Sequence, residues 1–134
     1  MNGSSVNWLA ILAAGLSAFV LGGVWYSPSL LGRAWMKENN FSLEQIRQAN
    51  KPKVFGWAFV LSLVMSVNLG MFLGGRDITL GLGLLYGCLT GVWIFCGIAI
   101  VALFEQRSAK YIFINGGYML VALTLMGGII GAWK

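Results

Sequence analysis

Four long apolar runs without a single charge divide the chain, at residues 6–26, 54–75, 78–104 and 111–133. Each meets the roughly 20 residues that a helix needs to cross a ~30 Å hydrocarbon core. A membrane strand would be about 10 residues long, alternate in polarity and belong to a closed barrel. These runs do not alternate, so the pattern predicts an all-α integral membrane protein with four transmembrane helices in one domain, residues 1–134. The second run is the most polar, with Ser62, Ser66 and Asn68. Its eleven Val, Leu, Ile or Phe residues still favour insertion by about 5 kcal/mol. No basic residue precedes the first run, which therefore reads as a retained helix and not as a cleaved signal.

The one sizeable loop, Ser27–Lys53, predicts two short amphipathic helices. Ser27-Pro28 reads as an N-cap followed by Pro at the first helical position. Leu30, Leu31, Ala34 and Trp35 then oppose Arg33 and Lys37, as suits a helix lying on a membrane surface. Ser42 with Gln45 spells a capping box, with Phe41 and Ile46 as its hydrophobic staple. This second helix should run to about Asn50, before Pro52.

Hydrophobic residues make up 58% of the 134 residues and charged ones only 10%, against about 25% charged in a soluble domain. So few charges cannot coat a globular surface in water. The net charge of +5 does not point to nucleic acid, because the basic residues fill the gaps between apolar runs. The first loop holds Arg33, Lys37, Arg47, Lys51 and Lys53, and the third holds Arg107 and Lys110. Only Arg76 and Lys134 lie on the other side. The positive-inside rule therefore expects cytoplasmic first and third loops and periplasmic termini. Trp8, Trp25, Tyr26, Trp57, Tyr111 and Trp133 fall near run ends, where amphipathic rings sit at headgroup level.

Small residues recur every fourth position in each run. They are Ala10, Ala14, Ala18 and Gly22; Ala58, Ser62, Ser66, Gly70 and Gly74; Thr79, Gly83, Gly87 and Gly91; and Thr124, Gly128 and Ala132. That spacing makes one stripe per helix, and close backbone approach is what joins helices in lipid. The stripes predict a tight bundle, an oligomer, or both. Asn68 lies about 200° from Ser66 and from Gly70, so it faces away from its stripe. A polar residue in a span prefers protein or water to lipid. Asn68 therefore points to a subunit contact, or to a bond within its own subunit.

Candidate chemistry is sparse. There is no His and there are only four acids. Glu105 ends the third run, where a helix C-terminus disfavours an anion. Arg33, Lys37 and Arg107 lie on the same side, and Asn115 sits one turn inside the fourth run. Glu105 is expected to clamp loops one and three, with Arg33 as its partner; the alternative is a polar site at the mouth of a pathway. Cys88 and Cys96 read as inert packing thiols. No metal site, cofactor motif or catalytic constellation is visible, so the chain is expected not to be an enzyme.

Two blocks carry a resemblance. Gly22-Gly23-Val24-Trp25-Tyr26-Ser27-Pro28 precedes Gly32-Arg33-Ala34-Trp35-Met36-Lys37, and Phe104-Glu105-Gln106-Arg107-Ser108 precedes Ile114-Asn115-Gly116-Gly117-Tyr118. With the ending Met126–Trp133 they resemble the bacterial membrane family called domain of unknown function 1761. Members often carry His after the last Gly-Tyr, where Met119 stands here. The resemblance implies a small multi-pass protein of the bacterial inner membrane and no established activity. Together these readings predict a packed homo-oligomer or an accessory subunit of a larger membrane complex, in contact with lipid. The alternative is a small ion or solute transporter or channel using Glu105 and Asn115.

Overall fold

A computed structural model describes residues 7–74 and 77–133. The expected run ends at Val6 and Gly75, and the charges Arg76 and Lys134, lie outside the described residues. Six helices follow in order: α1 (Trp8–Trp25), α2 (Gly32–Asn39), α3 (Leu43–Gln48), α4 (Lys51–Leu73), α5 (Leu80–Phe104) and α6 (Ala109–Ala132). The fold is all-α, and α1, α4, α5 and α6 are long and apolar enough to cross a membrane.

Each long helix starts where a polar side chain can satisfy an orphan backbone donor. Asn7 accepts from the Ala10 N–H, Asn50 from Lys53, Thr79 from Leu82 and Ser108 from Tyr111. The caps explain why α4 begins three residues before the apolar run and α6 two before. The capping box of Ser42 and Gln45 forms as expected. Phe41, however, packs its ring on Trp35, with centroids 5.1 Å apart.

The Ser-Pro turn departs from expectation. Ser27 does not cap α2; its hydroxyl donates back to the Val24 carbonyl at 2.7 Å and finishes α1. The Ser27 carbonyl then accepts the N–H groups of Leu30 and Gly32, so α2 starts four residues later than the Pro28 start predicted. Gly32 is required in this turn, since a Cβ there would lie 2.4 Å from the Tyr26 carbonyl oxygen.

The centre of the molecule is α6, which touches α1, α2, α4 and α5. α1 also packs on α4, whereas α5 finds its packing almost wholly on α6. The stripes are spent on these internal contacts. Ala10, Ala14 and Ala18 are buried, as are Ser66 and Gly70. Gly83, Gly87 and Gly91 face α6 so closely that a Cβ at Gly87 would lie 2.2 Å from the Leu123 carbonyl oxygen. Ser66 donates its buried hydroxyl to the Ile11 carbonyl at 2.5 Å, joining α4 to α1.

Candidate functional site between the first and third loops

Where α1 ends, the two resembling blocks meet. Trp25 closes the last turn of α1 and donates its indole N–H to the Ile114 carbonyl at 2.8 Å. Tyr26, the next residue, donates to Asn115 Oδ1 at 2.7 Å. Asn115 in turn gives its amide N–H to the Tyr111 carbonyl, one turn back on α6. Tyr118, one turn further into the membrane, donates to the Ala18 carbonyl at 2.7 Å. Each of these bonds links α1 to α6 or anchors a residue that does, in a setting where unmade hydrogen bonds are expensive.

The rings pack as tightly as their polar tips bond. Tyr26 stands edge-on to Tyr118 and to Trp35 of α2, both with centroids 5.6 Å away. Gly22 leaves room for this, because a Cβ there would meet the Tyr118 hydroxyl at 2.9 Å. The arrangement is an aromatic lock that fixes the end of α1, the start of α6 and the surface helix α2. Asn115 is thus committed within the lock and does not face an open path.

A second link joins the loops. The Ser108 hydroxyl donates to the Glu38 carboxylate at the end of α2, while its oxygen caps the Tyr111 N–H. Glu38 therefore sits at the N-terminus of α6, where the helix dipole favours an anion.

The expected pair of Glu105 with Arg33 is corrected here. Among the described residues the Glu105 carboxylate makes no hydrogen bond or ion pair. It is exposed at the C-cap of α5, and with Trp93, Gly97, Val101 and Tyr111 it lines an outward groove of about 410 Å³. The contact found between the loops is that of Glu38, the acid that reaches a helix N-terminus. Arg33 and Lys37 are exposed, and Arg107 lies over the Tyr111 ring, 5.0 Å from its centroid.

Sequence reasoning did not single out Trp35, Glu38 or Ser108 for these roles. Ser108 alone carried a local signal, as a Ser three residues before the Tyr111 N–H that it caps.

On the other side of the bundle, α4 and α5 follow one another in sequence yet leave a cleft of about 230 Å³ between them. It is lined by Phe72, Leu73, Tyr86, Leu89, Thr90 and Trp93. Asn68 lies one turn before Phe72 and is exposed. Its amide N–H bonds the Val64 carbonyl at 2.9 Å, and its Oδ1 accepts nothing among the described residues.

A family model described as a protein of unknown function, DUF1761, matches residues 9–131. It spans both blocks of the aromatic lock and all four long helices. No curated protein and no solved structure matches the chain.

Proposed function

The chain belongs to the DUF1761 family of unknown function, and on that premise we propose that it is a non-enzymatic membrane subunit that self-associates through the outer face of α4. Asn68 carries this reading. Its carboxamide is exposed about 7.5 Å from the end of α4, with an acceptor oxygen that nothing among the described residues uses. In lipid that oxygen stays unsatisfied; against a second copy it gains a donor, the familiar use of Asn in helix association. A two-fold contact would set one Asn68 against another and satisfy both. The buried members of the small-residue stripes do not speak for an oligomer, since they are occupied within the chain.

The transport alternative is less well supported. It relied on Glu105 and Asn115 sharing a path, and Asn115 is bonded to Tyr26 while Glu105 lines an outward groove.

Particle mass measured by light scattering in detergent tests the proposal. The natural chain should be a dimer or larger, and Asn68→Leu should shift it to monomer while its melting temperature holds. A monomeric natural chain, or an unchanged Asn68→Leu oligomer, would refute it.

We further propose residence in a bacterial inner membrane with loops one and three cytoplasmic. Asn40 is exposed between α2 and α3. A cysteine placed there should resist membrane-impermeant reagents applied from outside, and labelling from outside would reverse the orientation.

A further inference from the structure

The basic residues of the first and third loops fall into two groups that differ in their surroundings. In sequence, Arg33, Lys37, Arg107 and Lys110 each lie within five residues of Glu38 or Glu105, and Arg107 is stacked on Tyr111. Of Arg47, Lys51 and Lys53, only Arg47 lies that close to an acid, Glu44, which accepts a hydrogen bond from Gln48. All three of the latter cations are exposed, and among the described residues none makes an ion pair or hydrogen bond through its side chain. They bracket the two-residue connection from α3 to α4, at the start of a helix long and apolar enough to span a membrane.

The same stretch is apolar on its membrane side. Leu43, Phe55 and Trp57 are exposed, Trp57 by 59%. Trp57 is about 9 Å from the start of α4, the depth at which indole rings favour the headgroup boundary. Cations without internal counter-charge, set above exposed apolar side chains, match an amphipathic ligand with an anionic head and an apolar tail.

We propose that Arg47, Lys51 and Lys53, with Trp57 beneath them, bind the phosphodiester headgroup of an anionic phospholipid. The three side chains supply the positive charge, and the lipid's acyl chains run down the face of α4 that carries Lys53 and Trp57, four residues apart. The site is independent of self-association, since it lies at the opposite end of α4 from Asn68.

Native mass spectrometry of the full chain, released from nanodiscs of mixed phosphatidylglycerol and phosphatidylcholine, tests this. Each basic side chain at headgroup level is worth about fivefold in affinity for an anionic lipid. The natural chain should therefore retain phosphatidylglycerol over phosphatidylcholine by about tenfold or more. The triple variant Arg47→Gln, Lys51→Gln, Lys53→Gln should lose the preference. The variant Lys37→Gln, Arg107→Gln, Lys110→Gln removes as many charges and should keep it. No preference in the natural chain would overturn the proposal, and so would equal loss in both triple variants, which would mean diffuse attraction without a site. If the first triple variant does not fold, as judged by melting in phosphatidylcholine alone, the single variants at these exposed positions provide the test. Each should lower the preference severalfold, and three unchanged single variants would overturn the proposal.

Discussion

The α5–α6 contact and the α1–α4 contact join membrane helices by opposite means. Between α5 and α6 the backbones themselves touch: a Cβ at Gly83 would lie 2.2 Å from the Gly127 carbonyl oxygen, and one at Gly87 equally near that of Leu123. Between α1 and α4 the space is filled by side chains. Phe19 stands edge-on to Phe55 and Phe59, at 6.3 and 5.5 Å, and Ser66 bonds the Ile11 carbonyl. A Cβ at Gly15 would first meet the Leu63 Cδ2 methyl at 2.9 Å, which can turn away, and then the Leu63 Cα at 3.3 Å, which need give by only a few tenths of an ångström. Stripes of similar small residues therefore do different things. In one place they admit a backbone that cannot move, and in the other they admit side chains that can.

Gly87→Ala should have the largest effect. Its methyl group would meet a carbonyl fixed in a helix, so the two helices must separate, at a loss of about 3 kcal/mol or more, the upper range of overpacking. Gly87→Leu should be worse. Reversible unfolding in detergent measures both, and a loss below about 1 kcal/mol for alanine would remove the distinction between the contacts. Ser66→Ala comes next. It leaves the α1–α4 packing and deletes one interhelical bond, for about 0.6 to 1.7 kcal/mol. Gly15→Ala should be close to neutral in the same assay, because the displaced Leu63 methyl is offset by the gain in helix propensity of about 1 kcal/mol. If Gly15→Ala proved as damaging as Gly87→Ala, α1 and α4 would also be held backbone to backbone. The smallest effect belongs to Glu105→Gln. The exposed carboxylate has no partner to lose among the described residues, so melting should be unchanged, whereas Glu38→Gln should lower it slightly by weakening the Ser108 contact. The reverse order would restore the Glu105 clamp.

The four membrane helices could be read directly, because a charge-free run long enough to cross a bilayer has few other uses. Their ends were less legible: Asn50 and Ser108 carry the α4 and α6 caps outside the apolar runs. Ser27-Pro28 misled because Ser before Pro suits both the end of one helix and the start of another; Gly32, which permits the turn, separates the two. The stripes were legible but their partners were not, since four-residue spacing does not say that Gly87 meets Leu123. Glu38 and Ser108 lie 70 residues apart, and their meeting depends on how α2 leans against α6. Choosing between Glu38 and Glu105 needed that geometry, although the helix dipole gave the reason once it was known.

The aromatic lock also sets an order of events during synthesis. Trp25 and Tyr26 find their partners on α6, each 89 residues further along the chain. At ribosomal speed that is a wait of on the order of ten seconds, during which the Trp25 indole N–H and the Tyr26 phenol lack their α6 partners. The helix that organises the bundle is the last of the six to be made, so α1, α2 and α4 are made before the element on which they converge. A nascent chain that stalls before α6 leaves Trp25, Tyr26 and the Gly87 stripe without their α6 partners, which makes an incomplete copy chemically distinct from a finished one.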